Sequence, residues 1–195
     1  MLIFLDRQHV GKPKRLSDRG AGQDLDGDGV ISWAEKEAIW TGRLSIELEI
    51  LLLEMGYDVL PISDGAYGTR HGRVNGYSLG VQNSIYLALH LNAGGGDYGS
   101  FFYHHASPAG KKLAGEMSSA LFQTLPSLND VKAISCQSGD WTKNAWKTIK
   151  GVGRPVAICC EPIFMDTHKN LLNHHGIKQI ALGMSQGIKN WVENE

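Results

Sequence analysis

The chain has only three cysteines in 195 residues, an odd number with two of them adjacent, which argues against a disulfide framework. Cys159 and Cys160 are adjacent in an apolar run and Cys136 stands apart, which is the pattern of small buried hydrophobes. A basic excess is missing as well. The 19 Lys and Arg against 20 Asp and Glu leave a formal charge of -1, which argues against nucleic acid as a partner. No apolar run approaches the ~20 residues of a membrane span, so no membrane insertion is expected. The apolar start Met1 to Leu5 meets Asp6 and Arg7 at once, without the basic leader or cleavage site of a signal peptide. Repeats, low-complexity tracts and linkers are also lacking. These absences point to one monomeric domain, made in the cytoplasm and kept there unless another system releases it.

Apolar material is ample: 42% hydrophobic residues can fill a sizeable core. Short apolar runs at Leu2 to Leu5, Tyr57 to Ile62, Ile85 to Leu91, Ser100 to Tyr103 and Val156 to Cys160 predict strands. Between them, helical spacing predicts helices over 33–55 (stopped by Gly56), 71–82, 107–125 (opened by Ser107-Pro108) and a last one carrying Ile177, Ile180, Ala181, Met184, Ile188 and Trp191. The polar stretch Gln8 to Gln23 predicts a loop. The alternation implies an α/β fold: a mostly parallel or mixed central sheet with helices on both faces, in a single domain.

Residues 24 to 35 carry the spacing of an EF-hand-like calcium loop. Asp24, Asp26 and Asp28 supply oxygens at positions 1, 3 and 5, and Gly29 permits the turn at position 6. Val30 offers its carbonyl, Ser32 sits at position 9 and Glu35 at position 12. A single loop without an entering helix suits a structural Ca²⁺ better than a regulatory one.

Two residues after Glu35, Glu37 falls on the stripe of Leu44 and Leu48, at close to whole helical turns. An acidic side chain on a buried stripe needs a partner, and a metal is an economical one. His9 follows the first strand and His90 ends the third, where strand ends deliver ligands to a crevice. Together they make a His₂Glu set with an open position, as catalytic Zn²⁺ requires. Glu161 closes the strand Val156 to Cys160 and is placed to take a proton from water at such a metal. Asn92, Trp141 and Trp146 are candidate substrate contacts. His104, His105, His168, His174 and His175 are expected to be solvated.

The run Leu5-Asp6-Arg7-Gln8-His9-Val10-Gly11 resembles the D-x-G-H-G-G opening of zinc-dependent N-acetylmuramoyl-L-alanine amidases of the amidase-3 type. Glu37 ahead of Gly56-Tyr57-Asp58-Val59, Arg70 with Asn75, Ala88-Leu89-His90-Leu91-Asn92-Ala93 and Cys160-Glu161-Pro162-Ile163-Phe164-Met165 resemble that family's further motifs, in its order. Gln8 and Val10 stand where the pattern has glycine, and the loop at 24–35 is an insertion. The resemblance implies one catalytic domain over 1–195, peptidoglycan as substrate, zinc on His9, Glu37 and His90, and Glu161 as the catalytic acid–base. Without a signal peptide or added wall-binding module, the chain resembles a phage endolysin released through a membrane lesion. A zinc peptidase of related fold and a non-catalytic, calcium-stabilised wall-binding module are the competing expectations.

Overall fold

The computed structural model describes residues 1–9 and 20–194. Val10 and most of the loop expected over 8–23 lie outside the described residues. The elements are β1 (Leu2–Arg7), α1 (Glu37–Glu54), β2 (Asp58–Ile62), α2 (Tyr67–Tyr77), β3 (Ser84–Leu89), β4 (Gly99–His104), α3 (Pro108–Thr124), β5 (Val131–Cys136), α4 (Lys143–Ile149), β6 (Val156–Glu161) and α5 (His174–Glu193). The strands form one sheet in the order β2-β1-β3-β6-β4-β5. All neighbours run parallel except β4 and β6, so the sheet is mixed.

Both faces of the sheet are covered, which explains why its central strands read as unbroken apolar runs. Ile3, Leu5, Ile85, Leu87, Leu89, Phe101, Ile158 and Cys160 turn to one face, where they pack with buried residues of α1, α3 and α5. Their immediate neighbours Phe4, Tyr86, Ala88, Phe102 and Cys159 turn to the other, against Val74 of α2 and Ala145 and Ile149 of α4. This is the two-residue alternation of a pleated strand. The cysteines are buried and free, as the composition implied. On the first face α3 and α5 approach closely: a Cβ on Gly187 would lie 2.4 Å from the Met117 Cα. The α5 stripe of Ile177, Ile180, Ala181, Met184, Ile188 and Trp191 is buried as its spacing predicted. Among the described residues, no helix is long and apolar enough to cross a membrane.

Two elements escape the sequence pattern. The edge strand β5 is half-exposed, and α4 is only 7 residues long with four polar residues in Lys-Asn-Ala-Trp-Lys-Thr-Ile, so neither shows a clean apolar period. The helix expected from residue 33 is also divided. Trp33–Glu35 form a 3₁₀ turn, Lys36 is extended, and α1 begins at Glu37. Glu35 therefore does not share a helix with Glu37.

On the second face α2 works as a clamp. Arg70 is fully buried and donates to the Asp6 carboxylate at 2.5 Å and to the carbonyls of Arg7, Gly65 and Ser63. Tyr86 donates its hydroxyl to the other oxygen of Asp6. One turn further, the His71 ring donates to the Thr148 carbonyl in α4, and Asn75 bonds Gly151 and Gly153 ahead of β6. Removing one partner of a buried ion pair strands the other charge. Arg70→Met is therefore expected to lower unfolding free energy by about 3–5 kcal/mol, read from the urea midpoint, despite preserving apolar volume.

Candidate functional site

The C-terminal ends of parallel β1, β3 and β6 open on the same side of the sheet, where crevices form in α/β folds. His9 lies just past β1, His90 just past β3, and Glu161 ends β6; Glu37 enters from the first residue of α1. The chain reaches His9 in a left-handed conformation with φ of 58°, uncommon for a residue with a side chain and typical of strained functional positions.

Three of these side chains converge. The His90 Nδ1 lies 3.0 Å from Glu37 Oε1, the His9 Nε2 lies 3.4 Å from Glu37 Oε2, and the two ring nitrogens are 3.3 Å apart. Glu37 is held from behind by two backbone N–H groups, Leu91 at 3.1 Å to Oε1 and Ala21 at 3.0 Å to Oε2. Burial pushes the Glu37 carboxyl up, but His90 and His9 outweigh it and the net shift is down. Burial likewise pulls the His90 imidazole down, and Glu37 more than reverses it. A carboxylate and two imidazoles so arranged attract positive charge.

A cation fits that demand. An ion about 2.0–2.1 Å from each of three ligands in a tetrahedron spaces them about 3.3–3.4 Å apart. The two ring nitrogens, 3.3 Å apart, match this spacing, and each has one Glu37 oxygen near it, Oε1 at 3.0 Å from His90 and Oε2 at 3.4 Å from His9. Two nitrogens and one carboxylate oxygen are the donor set of a divalent transition ion. The sequence reading of His9, Glu37 and His90 as one group thus matches their placement, and their donor atoms lie within 4.8 Å of one another.

Glu161 lies outside this trio but in the same pocket, a cavity of about 410 Å³. Asn92 donates from Nδ2 to Glu161 Oε2 at 2.6 Å. The Asn92 Oδ1 accepts from the Ala93 N–H at 2.8 Å, so the amide cannot turn round without losing both bonds. Burial pushes the Glu161 carboxyl up, His90 draws it down, Glu37 pushes it up again and Asn92 draws it down; the net shift is upward. A raised carboxyl beside a cation site is suited to exchanging protons. Asn92, expected as a substrate contact, is thereby a positioning residue for Glu161 as well as a wall of the pocket.

The loops around Glu161 are cross-tied. Asn92 N–H donates to the Ile163 carbonyl and Met165 N–H to that of Asn92. Asp166 accepts from the backbone of Gly94 and Gly95. His168 was expected to be solvated. It is buried, accepts at Nδ1 from the Phe164 N–H and donates from Nε2 to Asp97. Its neighbours after β6 carried no signal for this, because the partner Asp97 sits in a distant loop. His105, His174 and His175 are exposed and His104 half-buried, close to expectation.

The tryptophans are placed differently from the sequence reading. Trp141 is exposed and stands edge-on to Phe102, and Trp146 lies under the Lys150 ammonium; neither lines the pocket. The face of α4 toward the pocket carries Asn144, Lys147 and Thr148 instead, at the one-turn spacing that excludes Trp146. With Tyr67 of α2 these are the wall residues that motif reading missed.

In the loop 24–35, donor oxygens of Asp24, Asp26 and Asp28 lie within 4.8 Å of one another. Asp24 also accepts from the N–H groups of Gly27 and Gly29, both at positive φ. Val30 is exposed and gives its N–H to Asp28; Ser32 gives its own to Glu35. Glu35 is buried and outside the three-carboxylate group, its oxygens accepting from the backbone N–H groups of Leu25 and Ser32. Those bonds, Leu25 foremost, hold its carboxyl down to about 2. The same loop abuts the trio: the N–H of Glu37 donates to Ala21 and that of Gln23 to Glu35.

No protein-family profile and no curated protein sequence matches the chain. Solved structures do. The CwlD amidase from Clostridioides difficile, solved in complex with the GerS lipoprotein, superposes with a TM-score of 0.72 at 16% identity over 100% of this chain and 99% of that one. The N-acetylmuramoyl-L-alanine amidase AmiC2 of Nostoc punctiforme gives 0.69 at 15% identity, covering 99% and 97%. The catalytic domain of the CD27L endolysin targeting Clostridia Difficile gives 0.61 at 19% identity, covering 97% of each. At these identities the likeness shows a shared α/β fold.

Gly20 takes a φ of 75°, and a Cβ there would fall 2.2 Å from Glu37 Oε2. If the trio holds a divalent ion, Gly20→Ala is expected to weaken its binding at least about tenfold by isothermal titration with Zn²⁺, through displaced ligand geometry, while far-UV circular dichroism stays unchanged.

Proposed function

We propose that the chain is a zinc-dependent peptidoglycan amidase that hydrolyses the amide between N-acetylmuramic acid and L-alanine. The observation that carries this is the trio of His9, Glu37 and His90 beside Glu161, a carboxylate that is not one of the three donors. The fold shared with the amidases above and the motif resemblance support the same substrate. On this reading residues 1–195 form one amidase-3-like catalytic domain with the loop 24–35 inserted. The chain then acts as an endolysin does, on the wall after release from the cytoplasm.

His9, Glu37 and His90 would hold the zinc. When bound, zinc supplies a Lewis acid that brings the pKa of water toward ~7 and polarises a carbonyl. The backbone N–H groups of Leu91 and Ala21 fix the Glu37 carboxylate so that both oxygens stay turned to the imidazoles. Asn92 occupies Glu161 Oε2, which leaves Oε1 as the oxygen that accepts a proton from the attacking water. As the C–N bond breaks, Glu161 returns that proton from Oε1 to the leaving nitrogen, so the products are a lactyl carboxylate and a free L-alanine amine. Burial favours the protonated form of Glu161 and so the second half of this exchange.

The loop 24–35 we read as a calcium-binding brace. The spacing of Asp24, Asp26 and Asp28 and their gathered oxygens support it, with the Val30 carbonyl, Ser32 and Glu35 completing the sequence motif. Glu35 would have to exchange its backbone partners for the cation. Glu35→Ala is expected to lower Tm and abolish any Ca²⁺-dependent rise in Tm. Glu37→Ala should instead lose bound zinc and all turnover, with Tm measured by calorimetry and zinc by elemental analysis.

Glu161→Gln is expected to retain zinc and lose at least about 10³-fold in turnover of purified peptidoglycan. The wild-type chain should release new N-terminal L-alanine in step with lysis. Cleavage at another peptide bond would support a peptidase instead, and an active Gln variant would overturn the role of Glu161.

A further inference from the structure

The pocket is lined by few charges. Glu37, Glu161, His9 and His90 belong to the proposed chemistry, and among the described residues the single Lys or Arg that lines the pocket is Lys147. It projects from α4, on the face shared with Asn144 and Thr148, and is exposed. Its ammonium has no ion pair, hydrogen bond or ring contact among the described residues. Lys150, three residues on, lies 4.3 Å from the Trp146 ring centroid. The pocket carboxylates are engaged elsewhere, Glu37 with both imidazoles and Glu161 with Asn92. Among the described residues, Lys147 therefore presents an unpaired cation to whatever enters.

With a divalent ion on the trio, the +2 charge offsets Glu37 and Glu161, and among the described lining residues Lys147 sets the remaining balance. Such a wall favours an anion on the substrate. The scissile amide has a neutral lactyl ether on its acyl side. On its amine side, L-alanine is followed by D-glutamate linked through its γ-carboxyl. That leaves an α-carboxylate five bonds from the leaving nitrogen, about 6 Å away in an extended chain. In many walls the same carboxylate is capped as a carboxamide, which removes the charge and little else.

We propose that Lys147 is a specificity residue that reads this α-carboxylate, so that the substrate class is the stem peptide with an uncapped glutamate. The inference rests on the amidase reading above. One exposed charge pair contributes up to about 1 kcal/mol, so the expected preference is about fivefold. Two soluble muropeptides test it, N-acetylmuramyl-L-Ala-γ-D-Glu-L-Lys amide and its isoglutamine counterpart, which differ only at the α-carboxyl. The zinc-loaded wild type should favour the free acid by about fivefold in kcat/KM, mainly through KM, and less so at high salt. Lys147→Met should bring the ratio to about one, Lys147→Arg should keep it, and Lys147→Glu should invert it. Equal wild-type rates, or a preference that survives Lys147→Met, would overturn the role of Lys147 and leave the amidase reading standing. No hydrolysis of either compound at the alanine amide would overturn both.

Discussion

The site depends first on one buried guanidinium. Arg70 gathers the end of β1, the exit of β2 and the start of α2 onto a single planar group, and with Tyr86 it satisfies the Asp6 carboxylate. Burial pushes that carboxyl up while Arg70 and Tyr86 hold it down, and the net shift is upward. Such a group is tolerated in an apolar core because it faces a cation and both its oxygens are hydrogen-bonded. Its position explains the arrangement: Asp6 is three residues from His9, so the pair anchors β1 just before the chain turns into its left-handed ligand. His71 and Asn75 on the same helix carry the constraint across to α4 and β6. Catalytic geometry and fold stability thus draw on the same contacts.

Two glutamates facing one pocket are given opposite tendencies by what surrounds them. Glu37 sits against two imidazoles and two N–H groups, which favour its charged form. Glu161 has one amide donor, and its burial, with the Glu37 charge nearby, favours its neutral form. A ligand needs the first property and a proton carrier the second. The division of labour follows from packing and hydrogen bonding, since the side chains are chemically identical.

How much of this was legible in the sequence depends on the range of the interaction involved. The central strands and α5 announce themselves because their burial is periodic along the chain. Glu37 was legible for the same reason, as a carboxylate on the Trp40, Leu44, Leu48 stripe. The pairing of His9, Glu37, His90 and Glu161 followed from strand ends and motif order. What stayed hidden was settled by distant partners: His168 is buried by Asp97, Asn92 is aimed by Ala93 and Glu161, and Glu35 is turned inward by Leu25. The short α4 gave no period to read, so the pocket face of Asn144, Lys147 and Thr148 could not be told from the flanking tryptophans.

The placement of β1 between β2 and β3 has a consequence for how the molecule matures. The contacts that build the site join residues far apart along the chain, with separations of 81 for His9 to His90, 53 for Glu37 to His90 and 69 for Asn92 to Glu161. Every one closes a long loop, and such contacts form late because their entropic cost precedes their reward. A nascent chain that has emerged only as far as β4 holds His9, Glu37 and His90 but lacks Glu161 at the end of β6. The four ionisable side chains that line the pocket are therefore all present only once β6 has been made.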